Sequence, residues 1–312
     1  MSKSKIIIKK SSGEKEAFSL DKLRRSLGYS GANEKEIQHI LDVLGEDLYQ
    51  GISSNEIHNK AYELLKKKQS VFASKYKLKK AIYELGPTGF PFETFIGQVF
   101  NYSGYKTQIG ELLQGKCVKH EVDVVATLGT VKLYIECKFH GEEGRNCDVK
   151  IPLYIHSRYR DIVENQGKSD QVTTQGWVVT NTRFTTDAVT YGNCVGLKLL
   201  SWDYPKENGL KERIDLLGLY PITVSTLLSS REKNSLLSKD IVLCQQLLND
   251  PSYLDHLKIA ATRKAKILHE IKLLCNAPTN RKASSKNSLF RWSKDGYRLQ
   301  IPYRNPRDSY FN

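Results

Sequence analysis

The chain has 312 residues, 48 Lys and Arg against 34 Asp and Glu, and a formal net charge of +14. That length allows two or three domains. No run approaches the ~18 apolar residues of a membrane helix, and the N-terminus lacks the apolar stretch and small-residue cleavage site of a secretory signal, so a cytoplasmic location is expected. The basic balance suits a polyanionic partner, because Lys and Arg displace counterions from phosphates.

Residues 1–87 open with two strand-like runs, Ile6–Lys10 and Glu16–Leu20, around a turn at Gly13. Helical patterns follow. Asp21 is the expected cap of a first helix carrying Leu23 and Leu27. Asn33 caps a second, whose Ile37, Ile40, Leu41, Leu44 and Leu48 keep helical spacing. Ser54 or Asn55 starts a third, and a fourth runs from Phe72 to Leu85. Gly86-Pro87-Thr88-Gly89 ends it and reads as a domain boundary.

Between 88 and 205 the pattern changes. A helix is expected over Pro91–Phe100, then strands over Tyr105–Ile109, Glu121–Thr127 and Val131–Phe139. A tyrosine-rich helix over Pro152–Asn165, a buried strand over Gly176–Thr180, a short helix over Thr185–Tyr191 and a strand over Lys198–Trp202 complete the unit. Helix, three strands, helix, strand, helix, strand describes an α/β sandwich with a central sheet. Residues 206–312 carry 19 Lys and Arg against 10 Asp and Glu and read as a basic, mainly helical region with a polar tail after Asn276.

The chemistry-bearing segment is His120-Glu121-Val122-Asp123-Val124-Val125, followed by Tyr134-Ile135-Glu136-Cys137-Lys138. Side chains alternate along a strand, so Glu136 and Lys138 share one face and Cys137 takes the other. A hairpin around Leu128-Gly129-Thr130 brings Asp123 to the same face. Two carboxylates suit Mg²⁺, which keeps several waters and meets substrate phosphate. A nearby Lys can position an attacking water and offset developing negative charge. The same alternation also describes a half-buried strand with a solvated face.

This segment resembles the PD-(D/E)xK restriction-endonuclease superfamily, in its Mrr-like branch. Asp123 matches the metal-binding Asp and Glu136-Cys137-Lys138 the (D/E)xK element. Glu93, in Gly89-Phe90-Pro91-Phe92-Glu93, matches the acidic residue on the preceding helix. Gly176–Thr185 with Ala188, and Leu199–Asp203, match the elements that complete the fold. The family's usual proline before the Asp is Val122 here. The resemblance implies catalytic roles for Asp123, Glu136, Lys138 and Glu93, and a Mg²⁺ position at Asp123, Glu136 and Cys137.

Residues 1–87 resemble the ATP-cone, a nucleotide-sensing module. The resemblance rests on Lys9-Lys10-Ser11-Ser12-Gly13, on Glu16-Ala17-Phe18-Ser19-Leu20-Asp21-Lys22, on His58, and on Tyr76 with Ala81-Ile82-Tyr83. It implies ATP or dATP as a regulatory ligand, with Lys9, Lys10, Glu16, Ser19, Lys22 and His58 in the nucleotide site. The turn is one residue longer than the family's, and Gly86-Pro87 stand where basic residues are expected. With no P-loop in the sequence, sensing is expected rather than hydrolysis.

The expected fold class is therefore a multidomain α+β and α/β chain: a helical ATP-cone with a small β cap over 1–87, a restriction-endonuclease-like α/β sandwich over 88–205, and the helical region over 206–312. Cys117-x-x-His120 and Cys137-x-x-His140 are read as thiols and histidines of the fold rather than a zinc site, because Cys137 points away from Glu136. The expected function is a Mg²⁺-dependent DNA endonuclease tuned by ATP or dATP, acting on duplex DNA and by family analogy in defence against foreign DNA. Two other readings remain open: a nucleotide-sensing DNA-binding regulator with an inactive nuclease fold, and an RNA or structure-specific nuclease. Double-strand cleavage by one site per chain suggests a homodimer or higher oligomer.

Overall fold

The structure, a computed structural model, describes residues 6–10, 13–166 and 172–276. Strands β1 (Ile7–Lys9) and β2 (Lys15–Ala17) form an antiparallel pair with Ile7 opposite Ala17. Helix α1 (Leu20–Tyr29) is capped by Ser19, whose hydroxyl accepts from the Lys22 N–H. The expected cap, Asp21, instead sits in the first turn, where its charge favours the positive end of the helix dipole. Asn33 and Glu36 form a reciprocal capping box on α2 (Glu34–Asp47). Ser53, one residue ahead of the expected start, caps α3 (Ser54–Lys68).

The single helix expected over 72–85 is two: α4 (Ser70–Tyr76) and α5 (Leu78–Tyr83), which meet at Lys77. The break serves two cores. Ala73 and Tyr76 of α4 pack with Leu27, Ile40, Leu44 and Leu65 of the N-terminal helices. Leu78, Ala81 and Ile82 of α5 pack with the sheet and the C-terminal helices. One straight helix presents its apolar stripe in a single direction.

Helix α6 (Phe90–Tyr102) leads into β3 (Lys106–Gln114), β4 (Lys119–Leu128) and β5 (Val131–Lys138). After the two-residue β6 (Asn146–Cys147) come α7 (Lys150–Gln166), β7 (Thr173–Thr180), β8 (Arg183–Phe184), α8 (Thr186–Cys194) and β9 (Lys198–Leu200). The five main strands form one mixed sheet in the order β3-β4-β5-β7-β9. The first three are antiparallel neighbours and β5-β7-β9 are parallel. Phe92, Phe95, Ile96 and Val99 of α6 cover one face, against Val124, Ile135, Cys137 and Val179. On the other face Ile155 and Ile162 of α7 meet Val178 and Tyr134 respectively. Gly97 lets α6 lie close on the sheet: a Cβ there would stand 3.1 Å from Ile109.

Beyond the sheet lie α9 (Leu210–Leu217), a 3-10 turn (Ile222–Val224), α10 (Ser230–Leu237), α11 (Cys244–Asn249), α12 (Ser252–His256) and α13 (Ala261–Asn276). Ile222, Leu236, Leu247, Ile267 and Ile271 join the same apolar cluster as α5 and α6. The polar tail after Asn276 lies outside the described residues. No helix among the described residues is long and apolar enough to cross a membrane.

Glu270 of α13 is almost fully buried, at 2% exposure. It accepts from the Ser225 hydroxyl at 2.6 Å, the Thr226 hydroxyl at 2.6 Å, the Thr226 N–H at 3.0 Å and the Ser74 hydroxyl of α4 at 3.2 Å. This carboxylate ties the C-terminal helix to the end of the N-terminal region. Glu270→Ala strands all four donors, and unmade buried hydrogen bonds are costly. The expected loss is roughly 3 kcal/mol or more in urea unfolding, with Glu270→Gln losing clearly less; equal losses would show that packing, not the hydrogen bonds, matters there.

Candidate active site

The hairpin from β4 to β5 turns at Gly129-Thr130, with Leu128 opposite Val131. The paired register runs back to Val124 opposite Ile135 and stops. Asp123 and Glu136 are the next residues on the two strands and so stand across from one another where the strands part. The Asp123 carboxylate fills the place of a main-chain acceptor: its Oδ2 accepts from the Cys137 N–H at 2.7 Å. Lys138, two residues beyond Glu136, falls on the same face. Cys137 takes the opposite face and is buried in the main core. Burial pushes its thiol pKa well up, so that sulfur stays protonated.

Glu93 comes from the first turn of α6. Burial first, then the negative charges of Asp123 and Glu121, push its pKa up to about 7. Glu136 is likewise raised to about 7, by burial and then by Asp123, with Arg158 and Lys138 pulling the other way. Asp123 is raised by burial, against the Cys137 N–H, Arg158 and Lys138. Four carboxylates thus face two cationic side chains.

That imbalance fits a divalent cation. Asp123 and Glu136 offer two hard oxygen donors, and Mg²⁺ accepts a small protein ligand set because it keeps several waters. Among the described residues no group of three or more His, Cys, Asp or Glu is placed to hold a metal ion, so a cation here would rest on these two carboxylates and on water. His120 is engaged elsewhere, its Nε2 2.7 Å from Asp161 Oδ2.

Three residues at the site escaped the sequence reading. Arg158 of α7 donates from Nη1 to Glu136 Oε2 at 2.7 Å and from Nη2 to the Glu121 carbonyl. Glu121 adds its charge to the acidic cluster. Asn181 brackets the residue two past Lys138, accepting from the His140 N–H at 2.9 Å and donating to the His140 carbonyl at 2.8 Å. Arg158 did leave a signal. It sits at helical spacing among Ile151, Ile155 and Ile162, and a charge on an apolar stripe calls for a buried partner.

Glu16 lies between Lys10, at 2.6 Å, and Lys22, at 3.0 Å, beside the β1–β2 turn. Ser19 spends its hydroxyl on the α1 cap. Lys9 is in β1, its N–H bonded to the Ile52 carbonyl. His58, on α3, is stacked on Tyr76 with ring centroids 4.4 Å apart. Burial lowers its pKa, and its charged neighbours are Glu143 and Lys80.

The raised Glu136 pKa has a sign. The folded chain holds a proton there that the unfolded chain releases from 4.5 upward. Cation-free stability therefore falls as pH rises from about 4.5 to about 7 and is level above that. Glu136→Gln keeps an acceptor for Arg158 and removes the titration. Urea unfolding in chelator at several pH values is expected to show a flatter profile across that window, by up to about 3 kcal/mol. A slope like the parent's would assign the proton to another group.

Residues 220–275 match the family described as AF1548-like, C-terminal. An uncharacterized protein of Archaeoglobus fulgidus is 32% identical over 170 residues, which are 54% of this chain and 93% of that protein. The crystal structure of AF1548, a protein of unknown function, is similar at a TM-score of 0.50 and 28% identity, covering 60% of this chain and 98% of its own. The MspJI restriction endonuclease bound to a 27-mer oligonucleotide is similar at a TM-score of only 0.32 and 13% identity, covering 54% of this chain and 36% of its own. The match to nearly the whole length of the archaeal relative is decisive for kinship: the chain belongs to the AF1548-like family.

Proposed function

We propose that this protein is a Mg²⁺-dependent endonuclease that hydrolyses phosphodiester bonds in DNA and responds to ATP or dATP through its first 87 residues. The observation that carries the reading is the pair Asp123 and Glu136, face to face where β4 and β5 part, with Lys138 on the same face and more acid than base around them. The residue pattern resembling PD-(D/E)xK nucleases and the net charge of +14 point the same way.

Asp123 and Glu136 would hold Mg²⁺, which when bound polarises a phosphate and lowers the pKa of a water. Lys138 positions the attacking water and offsets the charge that develops on the phosphate. Glu93 is suited to exchanging a proton near neutral pH. Residue 137 serves the metal position only through its main chain, since its thiol is buried. Asn181 holds the segment after Lys138 and so keeps that lysine's strand in place.

The first test is cleavage of plasmid DNA with Mg²⁺, beside duplex DNA, single-stranded DNA and RNA. Asp123→Ala, Glu136→Ala and Lys138→Ala are each expected to lose at least about a hundredfold in rate. An Asp123→Ala variant that cuts as fast as the parent would sink the mechanism, and faster cutting of RNA would move the substrate class.

The nucleotide arm is separate. Phosphates would be held by Lys10 and Lys22, which pair with Glu16 in the free protein. Replacing both lysines by Ala is expected to weaken ATP binding about tenfold or more by calorimetry. A parent chain that binds neither ATP nor dATP refutes the sensing role while leaving the cleavage reading intact.

A further inference from the structure

The residue that grips Glu136 is a cation already built into the chain. Arg158 and Glu136 are both largely buried, with side chains 15% and 19% exposed. The guanidinium also donates to the Glu121 carbonyl, and its carbon lies 5.4 Å from the ring of Tyr154, a residue 60% exposed. Glu136 Oε2, which a divalent ion would use, is thus occupied at 2.7 Å by a positive side chain. Tyr154, one turn back on α7, offers the same guanidinium an aromatic face at the solvent edge.

We infer that Arg158 is an internal counter-ion for the acidic cluster: it holds Glu136 while the site is cation-free, and a divalent ion displaces it from Glu136, leaving the guanidinium beside the Tyr154 ring it already touches, where it meets a substrate phosphate. The inference rests on the proposed reading of Asp123 and Glu136 as a cation site. In each state Glu136 keeps a positive partner. In one the guanidinium offsets Glu136. In the other the ion does so, and the guanidinium finds a phosphate, for which its planar fork of donors is well shaped. Arg158 is a positioning residue for Glu136 in the first state and a phosphate ligand in the second.

Calorimetric titration of Mn²⁺ into the full chain without nucleic acid separates these ideas. Arg158→Ala is expected to bind Mn²⁺ about tenfold more tightly than the parent, because a charge-assisted hydrogen bond no longer competes for Glu136. Arg158→Lys, which keeps the charge but cannot reach both acceptors as a fork, falls between them and decides the matter if the Ala variant does not fold. Duplex DNA binding measured in Ca²⁺ is expected to weaken about tenfold in Arg158→Ala. Mn²⁺ affinity in the arginine variants equal to or weaker than the parent's, with Glu136-dependent cleavage intact, overturns the inference alone. Absence of Mn²⁺ binding and of cleavage in every form overturns it together with the cation site.

Discussion

The antiparallel ladder between β4 and β5 ends at Val124 and Ile135, and Asp123 and Glu136 are the first residues past its last pair. Had the ladder continued, backbone groups would have satisfied one another. Because it stops, the Asp123 side chain takes up the Cys137 N–H and the two strands can diverge around the carboxylates. A buried N–H must find an acceptor somewhere, and here the acceptor is a group with chemistry of its own. The antiparallel neighbour β3 keeps β4 in place beyond that point, through Val122 opposite Glu111.

The rest of the sheet makes this opening affordable. Cys137 and Ile135 anchor one side of β5 in the main apolar cluster while Tyr134 anchors the other under α7. On the far side of the site β5 pairs in parallel with β7 along its whole length, Val131 opposite Thr173 through Lys138 opposite Thr180. The Thr180 hydroxyl then donates to the Lys138 carbonyl at 2.8 Å. Glu136 and Lys138 therefore project from a strand held along one edge by β7 and parted from β4 on the other, so a rigid frame presents the carboxylates.

Charge at the site is unequal. Arg158 and Lys138 do not neutralise Asp123, Glu136, Glu93 and Glu121, and burial magnifies what is left over. Such a cluster costs folding energy, which proteins tolerate at sites that bind something. The N-terminal region shows the opposite arrangement: Lys10, Glu16 and Lys22 sit at the surface and satisfy one another.

The amino-acid order alone determined the mixed helix-and-sheet architecture with its central sheet, the hairpin at Gly129-Thr130, and the face shared by Glu136 and Lys138. Those follow from local rules: side chains alternate along strands, and apolar residues repeat at helical spacing. Only tertiary structure decided where the β4–β5 ladder stops, that Arg158 reaches Glu136 across 22 residues of chain, that His58 stacks on Tyr76, and that the helix after residue 70 breaks at Lys77. Each depends on how separate elements pack against one another, which no window of neighbouring residues encodes.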